Sequence, residues 1–277
     1  MKRWPTLIAA WLSLAPFMAQ AVIVSDGGDD SQAPVPDPGI ARVAIIVGLS
    51  GVYLGKGWLL TAGHVLAAAK QQKKYDVLLD GHEHQLLPES AVPLTSEDGK
   101  ADLVLVRIDG DPGLSVLPIA KQMPAIGAQL ILAGNGPLQE TTRRCWDASG
   151  REAQATAPDV RCGFLWRKTP EGRTNGLQWG TNQVASRDEI LPGPEGTRTR
   201  SFVSVFRSGR PTPREAQAGV GDSGGPVFVR RGKGFELAGI LLGVAAQGKS
   251  AAIFGDRSYA ADLSGYREEI LRVLARE

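Results

Sequence analysis

Three short motifs of this chain carry a hydroxyl, an imidazole and a carboxylate, the groups that together perform nucleophilic acyl transfer. Ser223 stands in Ala218-Gly219-Val220-Gly221-Asp222-Ser223-Gly224-Gly225-Pro226-Val227. Glycines on both sides free the backbone to adopt positive φ, so the chain can turn sharply and hold the hydroxyl outward. The same turn can aim the N–H groups of Gly221 and Ser223 at one point, where an oxyanion would be stabilised as a carbonyl is attacked. Serine alone is a poor nucleophile, so it needs a base and a group that orients the base. His64, in Leu60-Thr61-Ala62-Gly63-His64-Val65, supplies the first, and Asp102, in Ala101-Asp102-Leu103-Val104-Leu105-Val106, the second. Taken alone, Asp102 could simply cap a turn ahead of an apolar run. Its place in the order His, Asp, Ser joins it to the other two.

The remaining histidines suggest less. His82 and His84 flank Glu83 after an Asp80-Gly81 turn. Alternation could put both imidazoles on one face as metal ligands. Without a third ligand, an exposed hairpin tip is the favoured reading, and no metal is expected.

The elements that must position these groups read as strands. Apolar runs at 42–49, 52–54, 58–61, 75–79, 84–87, 103–108 and 129–133 are separated by turn signals at Ser50-Gly51, Gly55-Lys56-Gly57, Asp80-Gly81, Asp98-Gly99, 109–113 and Asn135-Gly136. A run of alanines gives one or two helical turns over 65–70. Residues 137–175 are polar and read as long surface loops. Strands resume at 176–186, 201–207, 227–230, 235–244 and 258–263. A C-terminal helix follows, with Ser264 as N-cap and Tyr266, Ile270, Val273 and Leu274 on its packed face. Many short strands with Gly/Pro/Asn turns mean an all-β sandwich or barrel.

The 277 residues are 43% apolar, enough for one large or two ordinary cores. A formal charge of +2 with no basic run argues against nucleic acid as the main partner. Residues 1–21 read as a signal peptide: Lys2 and Arg3, an apolar stretch from Leu7 to Met18, then Ala19-Gln20-Ala21. The run is too short to span a bilayer, so an exported protein, secreted or periplasmic and off the membrane after processing, is expected. Residues 22–40 form an irregular lead-in rich in Asp, Gly and Pro. The only two cysteines are Cys145 and Cys162. In an exported protein they are expected to form one disulfide, worth roughly 3 kcal/mol on the chain-entropy model, with two unpaired thiols as the other reading.

Taken together, the motifs resemble the chymotrypsin/trypsin family of serine endopeptidases. Its members carry T-A-(A/G)-H, an Asp-led apolar strand and G-D-S-G-G-P, matched here by Thr61–His64, Asp102–Leu105 and Gly221–Pro226. The resemblance runs from about Val43 to the C-terminal helix, with 137–175 aligning poorly. It implies two six-stranded Greek-key β-barrels packed against each other: a first over 41–125, and a second over 126–277 that carries the long disulfide-bearing loop and the C-terminal helix. It also implies peptide-bond hydrolysis through an acyl-enzyme, with His64 as base, Asp102 orienting it and Ser223 as nucleophile. No cofactor is implied, the partners are protein or peptide substrates, and a monomer is expected. A catalytically silent binding protein on the same fold is the alternative, opposed by the complete set of three groups. A protease with an added peptide-binding module is disfavoured by the short tail after Ser223.

In activated relatives the Asp beside the nucleophile, here Asp222, pairs with a newly made Ile-Val amino terminus. Val22-Ile23-Val24 sits at the matching distance and directly follows the expected cleavage, so signal removal would itself create the activating end. Arg42-Val43 is a poorer candidate. Tryptic preference needs a carboxylate six residues before the nucleophile, where this chain has the neutral Gln217, with Glu215 two residues further away. The relatives' substrate-pairing strand corresponds to about Leu242-Gly243-Val244. Gly219 stands where relatives place a pocket-bracing cysteine, and an uncharged or small side chain is the expected guest.

Overall fold

The computed structural model describes residues 22–25, 34, 36–167, 176–209, 211–247 and 251–276. The expected signal peptide, residues 1–21, lies outside them, as does most of 26–35. Among the described residues seventeen strands and two α-helices follow in chain order. The first half holds β1 (Ile23–Val24), β2 (Val43–Ile46), β3 (Leu49–Gly55), β4 (Trp58–Thr61), α1 (Gly63–Gln72), β5 (Asp76–Leu79), β6 (His82–Ser96) and β7 (Gly99–Ile108). Next come β8 (Gln129–Gly134), β9 (Leu138–Trp146), β10 (Arg161–Arg167), β11 (Gln178–Pro192), β12 (Arg198–Val205) and β13 (Ala216–Gln217). The chain closes with β14 (Pro226–Arg231), β15 (Gly234–Ala245), β16 (Ala251–Ile253), β17 (Arg257–Asp262) and α2 (Arg267–Leu274).

Strands β2-β3-β4-β7-β6-β5 close one six-stranded antiparallel barrel, and β11-β12-β17-β15-β14-β8 close the other. The architecture is all-β with a short C-terminal helix, as the resemblance implied. In the first barrel, strands with both faces covered (Trp58–Thr61 and Ala101–Val106) explain why they read as continuous apolar runs. Phe228, Leu237 and Ile240 of the second barrel and Tyr266, Ile270 and Val273 at its C-terminal end belong to the same core as the first-barrel residues. The two barrels therefore share a packed interface. Burial of that apolar surface, at about 25 cal/mol per Å², is what holds them together.

Several expectations need correction. The first hairpin turns at Val47-Gly48, both at positive φ, and Ser50-Gly51 lie inside β3. The stretch 137–175 contains two strands rather than only loops. β9 and β10 pair with each other and with β16 as a third sheet, and Phe164 from it packs against Ile23, Phe206 and Ala252. Cys145, Cys162 and Phe164 of that hairpin are buried although its overall composition is polar. The lead-in is not wholly irregular either: Val22, Ile23 and Val24 are buried, and β1 pairs antiparallel with β13. Ser264 does not cap α2. Its N–H and hydroxyl donate to Asp262, which closes a 3₁₀ turn over Leu263–Gly265 just ahead of the helix. Cys145 and Cys162 face each other across β9 and β10 and are disulfide-bonded. No helix among the described residues is long and apolar enough to cross a membrane.

Candidate active site

His64 enters on the first turn of α1, directly after β4, while Asp102 lies in β7, which pairs with β4. Adjacent strands of one barrel thus bring together two residues 38 apart in sequence. His64 Nδ1 lies 2.7 Å from Asp102 Oδ2, and the His64 backbone N–H donates to Asp102 Oδ1 at 2.9 Å. Both carboxylate oxygens are therefore taken up by one residue. The approach is close: a Cβ on Gly63 would stand 2.9 Å from Asp102 Oδ1, so a larger residue beside the histidine would have to push the carboxylate aside slightly. The second barrel holds the main chain at this point, where the Asp102 N–H donates to Thr199 Oγ1 at 2.8 Å. Asp102 is buried, and the His64 side chain keeps 27% of its surface exposed. One edge of the imidazole is fixed and the other faces the cleft.

Ser223 sits in the turn that connects β13 to β14 and is half-buried. First-barrel groups hold this turn. Ser50 N–H donates to the Ser223 carbonyl at 2.9 Å, and Ser50 Oγ donates to the Gly221 carbonyl at 3.0 Å while accepting from Asn135 N–H at 2.9 Å. Gly224, at φ 85°, passes so near the first barrel that a Cβ would stand 2.2 Å from Thr61 Oγ1 and 2.0 Å from the Ser50 carbonyl. No side chain fits there, and the positive φ itself favours glycine. Thr61 is three residues before His64, so this contact brings the serine turn up to the histidine strand. Among the described residues neither the N–H groups of Gly221 and Ser223 nor Ser223 Oγ makes a hydrogen bond. Catalytic hydrogen bonds in unliganded sites are often long and tighten only around substrate.

Asp222, beside the serine, is fully buried. Its Oδ2 accepts from Gly219 N–H at 2.7 Å, with further help from the Gly136 amide, and no hydrogen bond of ordinary geometry reaches Oδ1. Burial pushes this carboxyl up to about 7. The other sequence candidates are scattered around the turn. Val22 and Ile23 lie under it, with Ile23 Cδ1 3.2 Å from where a Gly219 Cβ would stand. Gln217 is buried and directs Nε2 towards Asp256 Oδ2 at 3.5 Å, leaving Oε1 without a partner. Glu215 is buried, held by Thr212 Oγ1 at 2.6 Å and Arg207 N–H at 3.1 Å, and burial raises its carboxyl. Leu242, Gly243 and Val244 line a cleft of about 510 Å³ that contains His64 and Asp102. His82 Nδ1 meets a backbone carbonyl, as does His84 Nδ1, and no metal-binding cluster occurs among the described residues.

Sequence reasoning missed Ser50, Thr199 and the turn after β11. Each acts across more than 90 residues of chain, from positions with no local signature.

The sequence profile described as "Trypsin-like peptidase domain" matches residues 49–240, most of the chain. The chain belongs to the trypsin-like peptidase family. Membership implies protein or peptide substrates. No curated protein matches this trypsin-like peptidase in sequence. Among solved structures it is similar to neuropsin, described as a serine protease expressed in the limbic system of mouse brain. That likeness has 18% identity, covers 84% of this chain and 94% of that one, and has a TM-score of 0.51. The inactive form of Rv3671c protease is a more distant likeness, with 14% identity, coverage of 85% and 90%, and a TM-score of 0.48. The fold of this trypsin-like peptidase is thus that of the serine proteases.

Proposed function

We propose that the chain is an exported serine endopeptidase in which His64, Asp102 and Ser223 hydrolyse peptide bonds through an acyl-enzyme. The observation that carries this reading is the doubly anchored His64–Asp102 pair, with Nδ1 at 2.7 Å, set beside a turn that leaves a serine and two amide N–H groups uncommitted. Asp102 holds the imidazole with Nε2 directed outward as the base. Nε2 takes the Ser223 proton as Oγ attacks the substrate carbonyl, and the N–H groups of Gly221 and Ser223 receive the oxyanion. The imidazolium then protonates the leaving amine. Water, deprotonated by the same nitrogen, attacks the ester, and the acid product leaves with Ser223 restored. This sequence uses no metal or cofactor. The disulfide supports an oxidising, exported setting.

Activation follows from Asp222. In this reading cleavage after Ala21 frees the Val22 amine, which pairs with the buried carboxylate and fixes the turn that aims both N–H donors. Burial of Val22 and Ile23 and the pairing of Ile23 with Gln217 support it. N-terminal sequencing of active protein should find Val22 or Ile23 first, and an active species beginning elsewhere rejects this route.

The test of the whole reading is covalent labelling. A fluorophosphonate should add one mass increment to the Ser223 peptide, and Ser223→Ala should abolish both labelling and casein cleavage. Casein cleavage undiminished in Ser223→Ala, or no labelling at neutral pH, would favour the silent binding protein.

A further inference from the structure

We infer that the cleft selects peptides with bulky apolar side chains upstream of the cleaved bond, and that the Leu191–Pro194 turn makes this choice. The inference rests on the peptidase reading above and extends it to substrate class.

The cleft of about 510 Å³ has His64 and Asp102 at one end. Its other walls come from Leu191, Pro192 and Pro194 on one side and from Leu242, Val244 and Tyr259 on the other. These walls are apolar or aromatic and carry no ionised group. Of the lining residues only His64 and Asp102 can carry charge, and they are engaged with each other. An acidic guest would be repelled by Asp102. A lysine would shed water against apolar walls whose only carboxylate, Asp102, is buried and already paired with His64. The site therefore excludes charge as well as attracting apolar surface, which is how specificity is usually built.

The chain also makes the wall rigid. Two prolines fix the turn between β11 and β12, and its short 3₁₀ segment is closed by Thr197 N–H on the Pro194 carbonyl at 3.0 Å. Gly193 lies flat against the catalytic pair, since a Cβ there would stand 2.5 Å from Thr197 Oγ1 and 3.6 Å from Asp102 Cβ. The same turn therefore backs the carboxylate and walls the guest cavity.

Peptide direction follows from β15. Its pairing with β14 ends at Ile240 and Leu241 still bonds to Gly224 and Gly225, so among the described residues 242–245 are paired with β17 on one edge and open on the other. An extended peptide lying antiparallel on that edge enters at Ala245 and brings its bond to the Leu241 end, where Gly224 N–H and the Leu241 carbonyl tie β15 to the serine turn. Upstream residues then lie along Gly243–Ala245, and alternate side chains face the cavity.

Cleavage sites of the full processed protein in a mixed peptide library, read by mass spectrometry, test this. Leu, Ile, Val and Phe should be enriched about 10- to 100-fold over Asp, Glu and Lys at alternate upstream positions, the range expected for burying one large side chain. A flat or charge-enriched upstream profile overturns the inference. Leu191→Asp and the exposed Pro194→Asp should each erase the enrichment and admit Lys and Arg, and an unchanged profile in both removes the turn's role. Ser223→Ala provides a second readout, the binding of N-acetylated Leu-rich against Asp-rich hexapeptides by calorimetry. Selective binding without cleavage by the wild type refutes the peptidase and keeps the selectivity. Cleavage with no selectivity does the reverse.

Discussion

Asp102 and Asp222 are both buried carboxyls beside candidate catalytic residues, His64 and Ser223, yet their surroundings differ. Asp102, from the first barrel, receives two hydrogen bonds from His64, and its own N–H is taken by Thr199. Asp222, from the second barrel, has backbone amides on one side, an oxygen without a hydrogen bond and a carboxyl pushed up to about 7. The first barrel builds its half of the site from regular elements, a strand and a helix start. The second builds its half from a turn whose hydrogen bonds come largely from elsewhere. A carboxylate supported by fixed neighbours can orient a base permanently. One that is buried without a cation suits a role that switches on when a positive charge arrives.

The sharpest way to break this contrast is Asp102→Asn, which keeps shape and removes charge. In the triad mechanism it should lower kcat about 10⁴-fold with little change in KM, measured on a casein-derived peptide. A loss no greater than that of Asp222→Asn would erase the distinction.

Asp222→Asn comes next. In protein starting at Val22 it should cost about 10²- to 10³-fold in kcat, the scale of a lost oxyanion donor. Its effect on stability should change sign with processing. A carboxyl raised from 3.8 to about 7 keeps its proton longer in the folded state, so the folded chain binds more protons than the unfolded one between those values. Unprocessed protein should therefore lose stability as pH rises from about 4 to 7, and Asp222→Asn should remove that loss. In processed protein the Val22 amine offsets the buried charge, so the same substitution should destabilise. Activity of the processed form should also fall as pH rises through the paired amine's pKa, above the usual 7.7–8.0 or so. Urea melts at pH 5 and pH 8 on both forms check the signs.

Ser50→Ala sharpens the contrast on the first-barrel side. It leaves the Gly221 carbonyl and Asn135 N–H buried without their partner, which costs about 1–3 kcal/mol by urea melting. About a tenfold drop in kcat should follow as the turn loosens. The smallest effect on catalysis is expected for Cys145→Ser with Cys162→Ser. The disulfide lies in the third sheet, so kcat at 25 °C should hold within about threefold while stability falls by up to roughly 3 kcal/mol.

The sequence made the nucleophile turn, the T-A-G-H junction and most first-barrel strands readable because each carries a local pattern. Glycines around Ser223, an apolar run ending in His64 and Gly-rich turns are signals that span only a few residues. The rest depended on distant partners. β6 runs on to Ser96 through Pro88 and Pro93, whose prolines and glutamate read as loop, while a register shift between Leu87 and Val92 lets the strand continue. β9 and β10 alternate polar and apolar residues too unevenly to suggest strands until Phe164 is seen against Phe206 and Phe254. β11 continues past the Arg187-Asp188 irregularity only because β12 pairs with it on both sides, at Ser186 and Glu189. β1 is two residues long, and its partner at Ala216–Gln217 is far along the chain, so no local pattern could mark it.

The Ser50 clamp has a consequence for a cell that must make such a protein. Translation delivers the imidazole and its aspartate long before the alcohol exists, and the alcohol's turn remains unsecured until the earlier half of the polypeptide docks against it. Either half alone, whether from an aborted ribosome or a later nick that separates the pieces, would lack the constellation needed to attack its neighbours. If the chain is the peptidase proposed above, its cutting capacity thus belongs to the completed assembly, which limits the harm from fragments inside the producing cell.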